Sequence, residues 1–116
     1  MHTSTITIDV HLDKMKTPES ILWTADSSSD EKLKAKAMLL AFWDGAEKTA
    51  LRMDLWTKEM MVDEMADFFY QTMMTMADSF ERATHQQELT ADLKKSAKDF
   101  YNKFRELQLK ENEPKA

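Results

Sequence analysis

The stretch KAMLLAFWDGAEKTALRMDLWT, residues 36–57, decides the fold. Its first half invites a helix, because Ala, Met and Leu are good helix formers. Pairing arithmetic favours a hairpin. With a loop at Gly45 to Lys48, Asp44 faces Thr49, Phe42 faces Leu51, Leu40 faces Met53 and Met38 faces Leu55. The last three pairs are apolar and point to one side, the cross-strand pattern of a packed sheet face. A tighter turn at Asp44-Gly45 opposes Phe42 to Glu47 and Leu40 to Thr49, which wastes both apolar residues. A four-residue loop is also a common hairpin length.

The same register fixes the reverse face. There Trp43 meets Ala50, Ala41 meets Arg52, Leu39 meets Asp54 and Ala37 meets Trp56. Two tryptophans and a leucine are interleaved with alanines and with one charge of each sign, Arg52 and Asp54. The face is neither a clean core face nor a clean solvent face. Small residues opposite tryptophans leave recesses beside aromatic ridges, and tryptophan is enriched at interface hot spots. Leu39, Trp43, Arg52, Asp54 and Trp56 therefore form a candidate surface for a protein partner or for self-association. Trp23 lies on a neighbouring expected strand.

Upstream, residues 4–12 alternate, with Ile6, Ile8, Val10 and Leu12 on one side and Thr5, Thr7, Asp9 and His11 on the other. That period of two in β-branched residues predicts a strand with one wet face. Asp13 to Glu19, with Pro18, is expected to be a loop, Ile21 to Ala25 a short strand, and Asp26 to Asp30 a polar loop. Downstream, the apolar set Met61, Met65, Phe68, Phe69, Met73, Met76, Ala77 and Phe80 fills about half a helical wheel. This predicts a helix over 61–84, with Met60 and Met74 on its polar side. Leu89, Leu93, Ala97, Phe100, Phe104 and Leu107 predict a second helix over 88–108. The expectation is an α+β chain: an antiparallel sheet of about four strands, then two helices packed on it by these stripes. Phe69, Met76 and Phe80 would be buried, and Asp63, Asp67 and Asp78 exposed. One of the helices would cover the Met38/Leu40/Phe42 face. The 116 residues suit one domain, ordered over about 4–108, with a tail at 109–116 that frays.

Composition narrows the chemistry. The chain has 16 Lys+Arg and 21 Asp+Glu, a formal net charge of −5. Residues 59–82 hold six acids against one base, so this segment carries the whole excess. Net acidity argues against nucleic acid as a partner, because such binding needs cations to displace phosphate counterions. There is no cysteine and a single glycine, Gly45. Thiolate chemistry, disulfides and glycine-rich phosphate loops are thereby excluded. No apolar run approaches the ~18 residues of a membrane span, so no direct membrane insertion is expected. Met1 to Asp9 lacks the basic start and apolar block of a secretory signal, which points to the cytoplasm.

Few residues suggest a reaction. His2, His11 and His85 lie far apart with no ligand spacing, and surface histidines are the simpler reading. Asp9, His11 and Asp13 share a strand face that a divalent ion would suit, but a solvated face is commoner. Asp63 and Asp67 sit one helical turn apart beside Glu64. On a wet helix face, near an N-terminus, such acids suit the helix dipole better than catalysis. Six of ten methionines lie between Met60 and Met76. Methionine tolerates varied partners, although a core stripe is the ordinary explanation at this spacing. No catalytic residue, cofactor site or metal site emerges.

Several strings resemble the GldC family of gliding motility-associated proteins from Bacteroidetes-type bacteria. They are Lys36-Ala37-Met38-Leu39-Leu40 with Trp43-Asp44, Leu51 to Lys58, and Val62-Asp63-Glu64-Met65. Phe68-Phe69, Gln71-Thr72, Met76 to Thr84 and Ile21 to Ala25 also fit, so the resemblance covers roughly residues 5–105. Met61 stands where the family often has proline, and Tyr70 where it often has histidine. The first change weakens the helix start slightly, and the second removes a potential ligand. The resemblance implies a cytoplasmic accessory or adaptor protein of the motility or associated secretion machinery, with no catalytic residues and no cofactor. The alternative is a small acidic chaperone for exported proteins, since the element order is loosely similar to that of the chaperone SecB.

Overall fold

The computed structural model describes residues 2–25 and 31–111. The chain forms two compact units, Met1–Met60 and Met61–Ala116. The expected loop Asp26 to Asp30 and the tail from residue 112 lie outside the described residues.

The first unit contains β1 (Thr7–Leu12), β2 (Pro18–Thr24), β3 (Leu33–Ala35), β4 (Ala37–Asp44) and β5 (Thr49–Trp56). They form a three-stranded antiparallel sheet ordered β1-β2-β3 and a two-stranded antiparallel sheet β4-β5. Among the described residues the strand count is thus five in two sheets, close to the four expected in one. β2 begins at Pro18, inside the expected loop, because Asp13 shortens the β1–β2 turn. Its Oδ1 accepts hydrogen bonds from the Met15 and Thr17 amides at 2.8 and 2.9 Å, and its Oδ2 pairs with Lys58. β3 pairs Ala35 with Ile21 and Leu33 with Trp23.

β3 and β4 are separated only by Lys36. Thr57, at the end of β5, donates both its amide and its hydroxyl to the Lys36 carbonyl, at 2.9 and 2.6 Å. Thr57 is buried, so these bonds are shielded from water and pin the base of the β4–β5 ribbon. Ile21 is the largest fully buried side chain. Beside it Ile8, Trp23 and Met38 line an apolar recess of about 190 Å³. Trp23 is half-buried there.

The second unit is an antiparallel pair of helices, α1 (Val62–Thr84) and α2 (Gln87–Glu111). α2 passes the expected end at residue 108 and keeps Lys110 and Glu111 helical. Met61 caps α1 in an extended conformation, and its amide donates to the Glu64 carboxylate at 3.2 Å. Glu64 thus supplies the start signal that proline would give. His85 closes α1 in the left-handed conformation at φ 58°, its amide bonded to the Glu81 carbonyl.

The helices meet along small residues. Ala66 and Ala77 are buried on α1, and Thr90 and Ala97 on α2. Tyr70 packs on Tyr101 with ring centroids 4.9 Å apart, and Phe69 meets Phe100 edge-on at 6.4 Å. Asp78 pairs with Lys94 at 2.7 Å, which leaves it half-buried instead of exposed and raises the Lys94 pKa. The Asp67 carboxylate accepts the Tyr101 hydroxyl and raises that group's pKa. Met60 and Met74, assigned to the wet side, are half-buried, as is Phe80. Phe69 and Met76 are instead exposed, at 41 and 62%. The α1–α2 contact selects small residues, which let the backbones approach, and turns the larger apolar side chains off its axis.

Candidate partner surface

Strand alternation puts Leu39, Ala41, Trp43, Ala50, Arg52, Asp54 and Trp56 on one face of the ribbon. Every pair in the eight-residue register is the one the sequence predicts, from Ala37 with Trp56 to Asp44 with Thr49. Four turn residues, 45–48, connect the strands. Asp44 organises them, its Oδ1 accepting the Ala46 and Glu47 amides at 3.0 and 3.3 Å. The turn is therefore held by its own side chain, and it presents Trp43 near the tip.

Trp43 is 68% exposed and Leu39 38%. Arg52 and Asp54 are exposed, and Trp56 is half-buried. The Trp56 indole N–H donates to Asp54 Oδ2 at 3.0 Å, two residues away on the same face. That bond fixes the indole plane and aims the carboxylate along the strand. The five candidate residues thus share one face: Trp56, Asp54 and Leu39 toward the base, Arg52 midway, and Trp43, opposite Ala50, near the tip. Only Trp43 combines a large apolar area with full access.

The opposite face of the ribbon carries Met38, Leu40 and Phe42 opposite Leu55, Met53 and Leu51. Phe42 is 62% exposed, Leu51 55% and Met53 54%, while Met38, Leu40 and Leu55 are half-buried. A shallow recess of about 130 Å³ lies among Leu40, Phe42, Leu51 and Met53. The outer half of the ribbon is apolar and accessible on both faces. Alternation in sequence reveals that both faces are apolar, but not which of them is covered.

The titratable residues are arranged for structure. Asp13 turns toward Lys58, which holds its carboxyl below the usual range, and Asp9 pairs with Lys32 at 2.9 Å. The Asp9/His11/Asp13 face is therefore divided among lysine partners and a turn. Among the described residues no three His, Cys, Asp or Glu side chains converge on a metal position. Asp63 and Asp67 are exposed, and Asp63 accepts the Glu64 amide at 3.0 Å. Among the described residues, no helix is long and apolar enough to cross a membrane.

An antiparallel β meander, a two-stranded β ribbon and a C-terminal helical hairpin define an α+β protein. Residues 18–106 match the family described as gliding motility-associated protein GldC-like, and the chain belongs to that family. No curated protein and no solved structure matches the chain.

Proposed function

We propose that this GldC-like protein is a non-catalytic accessory protein of the cytoplasm. It docks on a protein component of the motility machinery, or of the secretion machinery associated with it, through the Leu39/Trp43/Arg52/Asp54/Trp56 face. The observation that carries this reading is the exposure of Trp43, 68%, beside Ala50 and on the same face as a charge of each sign. Burying one indole removes enough apolar surface to anchor an interface. Arg52 and Asp54 add orientation and association rate more than affinity. The absence of cysteine suits a reducing compartment.

The test is isolation of the native complex from cells, with Trp43→Ala beside the wild type. One stoichiometric partner, bound about 30-fold or more weakly by the variant, supports docking. Circular dichroism should show the variant folded. A second reading rests on Phe42, Leu51 and Met53, which extend the exposed apolar area to the reverse face. A surface open on both sides suits a chaperone that holds unfolded exported proteins. Many unfolded clients and no stoichiometric partner would decide for it. A Trp43→Ala variant that keeps full affinity for the partner removes this face from the reading.

A further inference from the structure

The helical hairpin carries an apolar face that the α1–α2 contact does not use. Phe69 and Met76 on α1 lie roughly 70–90° around the helix from the Ala66/Ala77 line, at 3.6 residues per turn. Leu89, Phe100 and Leu107 lie as far from the Thr90/Ala97 line. The edge-on contact of Phe69 with Phe100 shows that both stripes lie on the same side of the hairpin. On that side Met76 is 62% exposed, Leu89 51%, Leu107 50% and Leu93 45%. Tyr70, Tyr101, Asp67 and the Asp78–Lys94 pair occupy the other side.

We propose that this face is the interface of a two-fold dimer, α1 lying antiparallel on α1 and α2 on α2 of a second copy. Three observations point to a second copy. The first is area. α1 has 23 residues, so the face is roughly 34 Å long, and two adjacent helices make it roughly 20 Å wide. Its extent, roughly 600–700 Å², approaches the ~800 Å² per partner of a stable interface.

The second is self-complementarity of the apolar residues. A two-fold axis between Thr72 and Met73 puts Phe69 over the second copy's Met76, and Met65 over its Phe80. An axis at Lys98 puts Leu89 over Leu107, and Phe100 over Ser96, which leaves room for the ring. These are one axis and not two. The Tyr70–Tyr101 and Asp78–Lys94 contacts bring the Thr72–Met73 midpoint level with Lys98. Residue i meeting j while j meets i is what a closed two-fold contact requires.

The third is charge. On the rim of the face, the same axis brings Asp92 within one residue's rise of the second copy's Lys103. Lys103 borders the recess that Phe100 and Leu107 line, so its stem covers apolar surface while its ammonium reaches the rim.

The experiment uses the full chain, whose lack of cysteine makes introduced thiols unambiguous reporters. Leu89 and Leu107 are roughly 27 Å apart along α2, far beyond disulfide reach within one chain. Under mild oxidation, Leu89→Cys mixed with Leu107→Cys should yield a covalent dimer, and Leu89→Cys alone should not. Sedimentation equilibrium should give a dimer for the wild type in the micromolar range. Leu107→Glu should weaken it about 30-fold or more, with helicity unchanged because Leu107 is half exposed in the single chain. A wild-type chain that stays monomeric throughout that range overturns the proposal. So does a dimer that ignores Leu107→Glu, or one in which the mixed thiols do not cross-link.

Discussion

At the scale of single residues, Lys48 carries the strain of the ribbon turn. It adopts φ 54°, the left-handed region, while Gly45, the first residue of the same turn, does not have positive φ. A lysine there costs roughly 1–2 kcal/mol that glycine avoids, offset in part by glycine's freer unfolded chain. Lys48→Gly should therefore raise stability by about 0.5–1 kcal/mol in urea unfolding. Gly45→Ala should cost nothing and can gain about 0.4–1 kcal/mol, because no atom lies within 4 Å of the added methyl. Asp13 offers a pH test. Its pKa lies below the ordinary 3.8 in the folded chain, through its hydrogen bonds to Lys58 and the Thr17 and Met15 amides. A depressed carboxyl stabilises the fold above its unfolded pKa, and that contribution disappears as pH falls through the folded value. The Lys58 pKa is raised, so the lysine's share is complete below 10.5 and fades as pH rises beyond the folded value. Asp13→Asn should lower the urea midpoint at neutral pH and flatten its decline below about pH 4. A parallel decline in both proteins would remove Asp13 as the cause.

At the scale of elements, the ribbon and the helices were legible to different degrees. The ribbon register could be read completely. A period of two leaves two parities, and only one loop length puts apolar residues opposite apolar residues from Met38 to Phe42. β3 has three residues, too few for a period, and arises from pairing with β2. The helices were readable as segments, and half of their contact line with them: Ala77 and Ala97 belong to the apolar stripes and are buried, whereas Ala66 and Thr90 complete the line in place of the larger Phe69, Met76, Leu89 and Leu107. The available signal was the spacing along the line, eleven and seven residues, both close to whole numbers of turns. Two outcomes follow from that line. Ala97→Leu should cost about 1–3 kcal/mol by overpacking a site with no accessible surface. Phe69→Ala should cost about 1–2 kcal/mol in dilute solution, below the ~3–5 of a buried ring, because Phe69 is 41% exposed. Thermal unfolding of both variants in parallel gives the order. A larger loss for Phe69→Ala would move the contact line to the large residues.

At the scale of the molecule, exposed apolar surface has to be reconciled with solubility. Phe42, Trp43, Leu51 and Met53 are each more than half exposed on one ribbon, a density that invites association. Net charge opposes it. The chain carries −5 at neutral pH, with the whole excess in residues 59–82, and its isoelectric point is about 5.2. Repulsion between copies therefore weakens steadily as pH falls toward 5, while the apolar area is unchanged. Solubility should pass through a minimum near pH 5, with light scattering rising before any loss of circular dichroism signal. Trp43→Ser removes apolar area without altering charge or the ribbon register, so it should make the minimum shallower and leave its pH in place. Arg52→Glu adds negative charge on the same face and should instead move the minimum to lower pH. A minimum unchanged in depth by Trp43→Ser would show that the ribbon is already covered in solution. The functional surface would then have to be sought elsewhere on the chain.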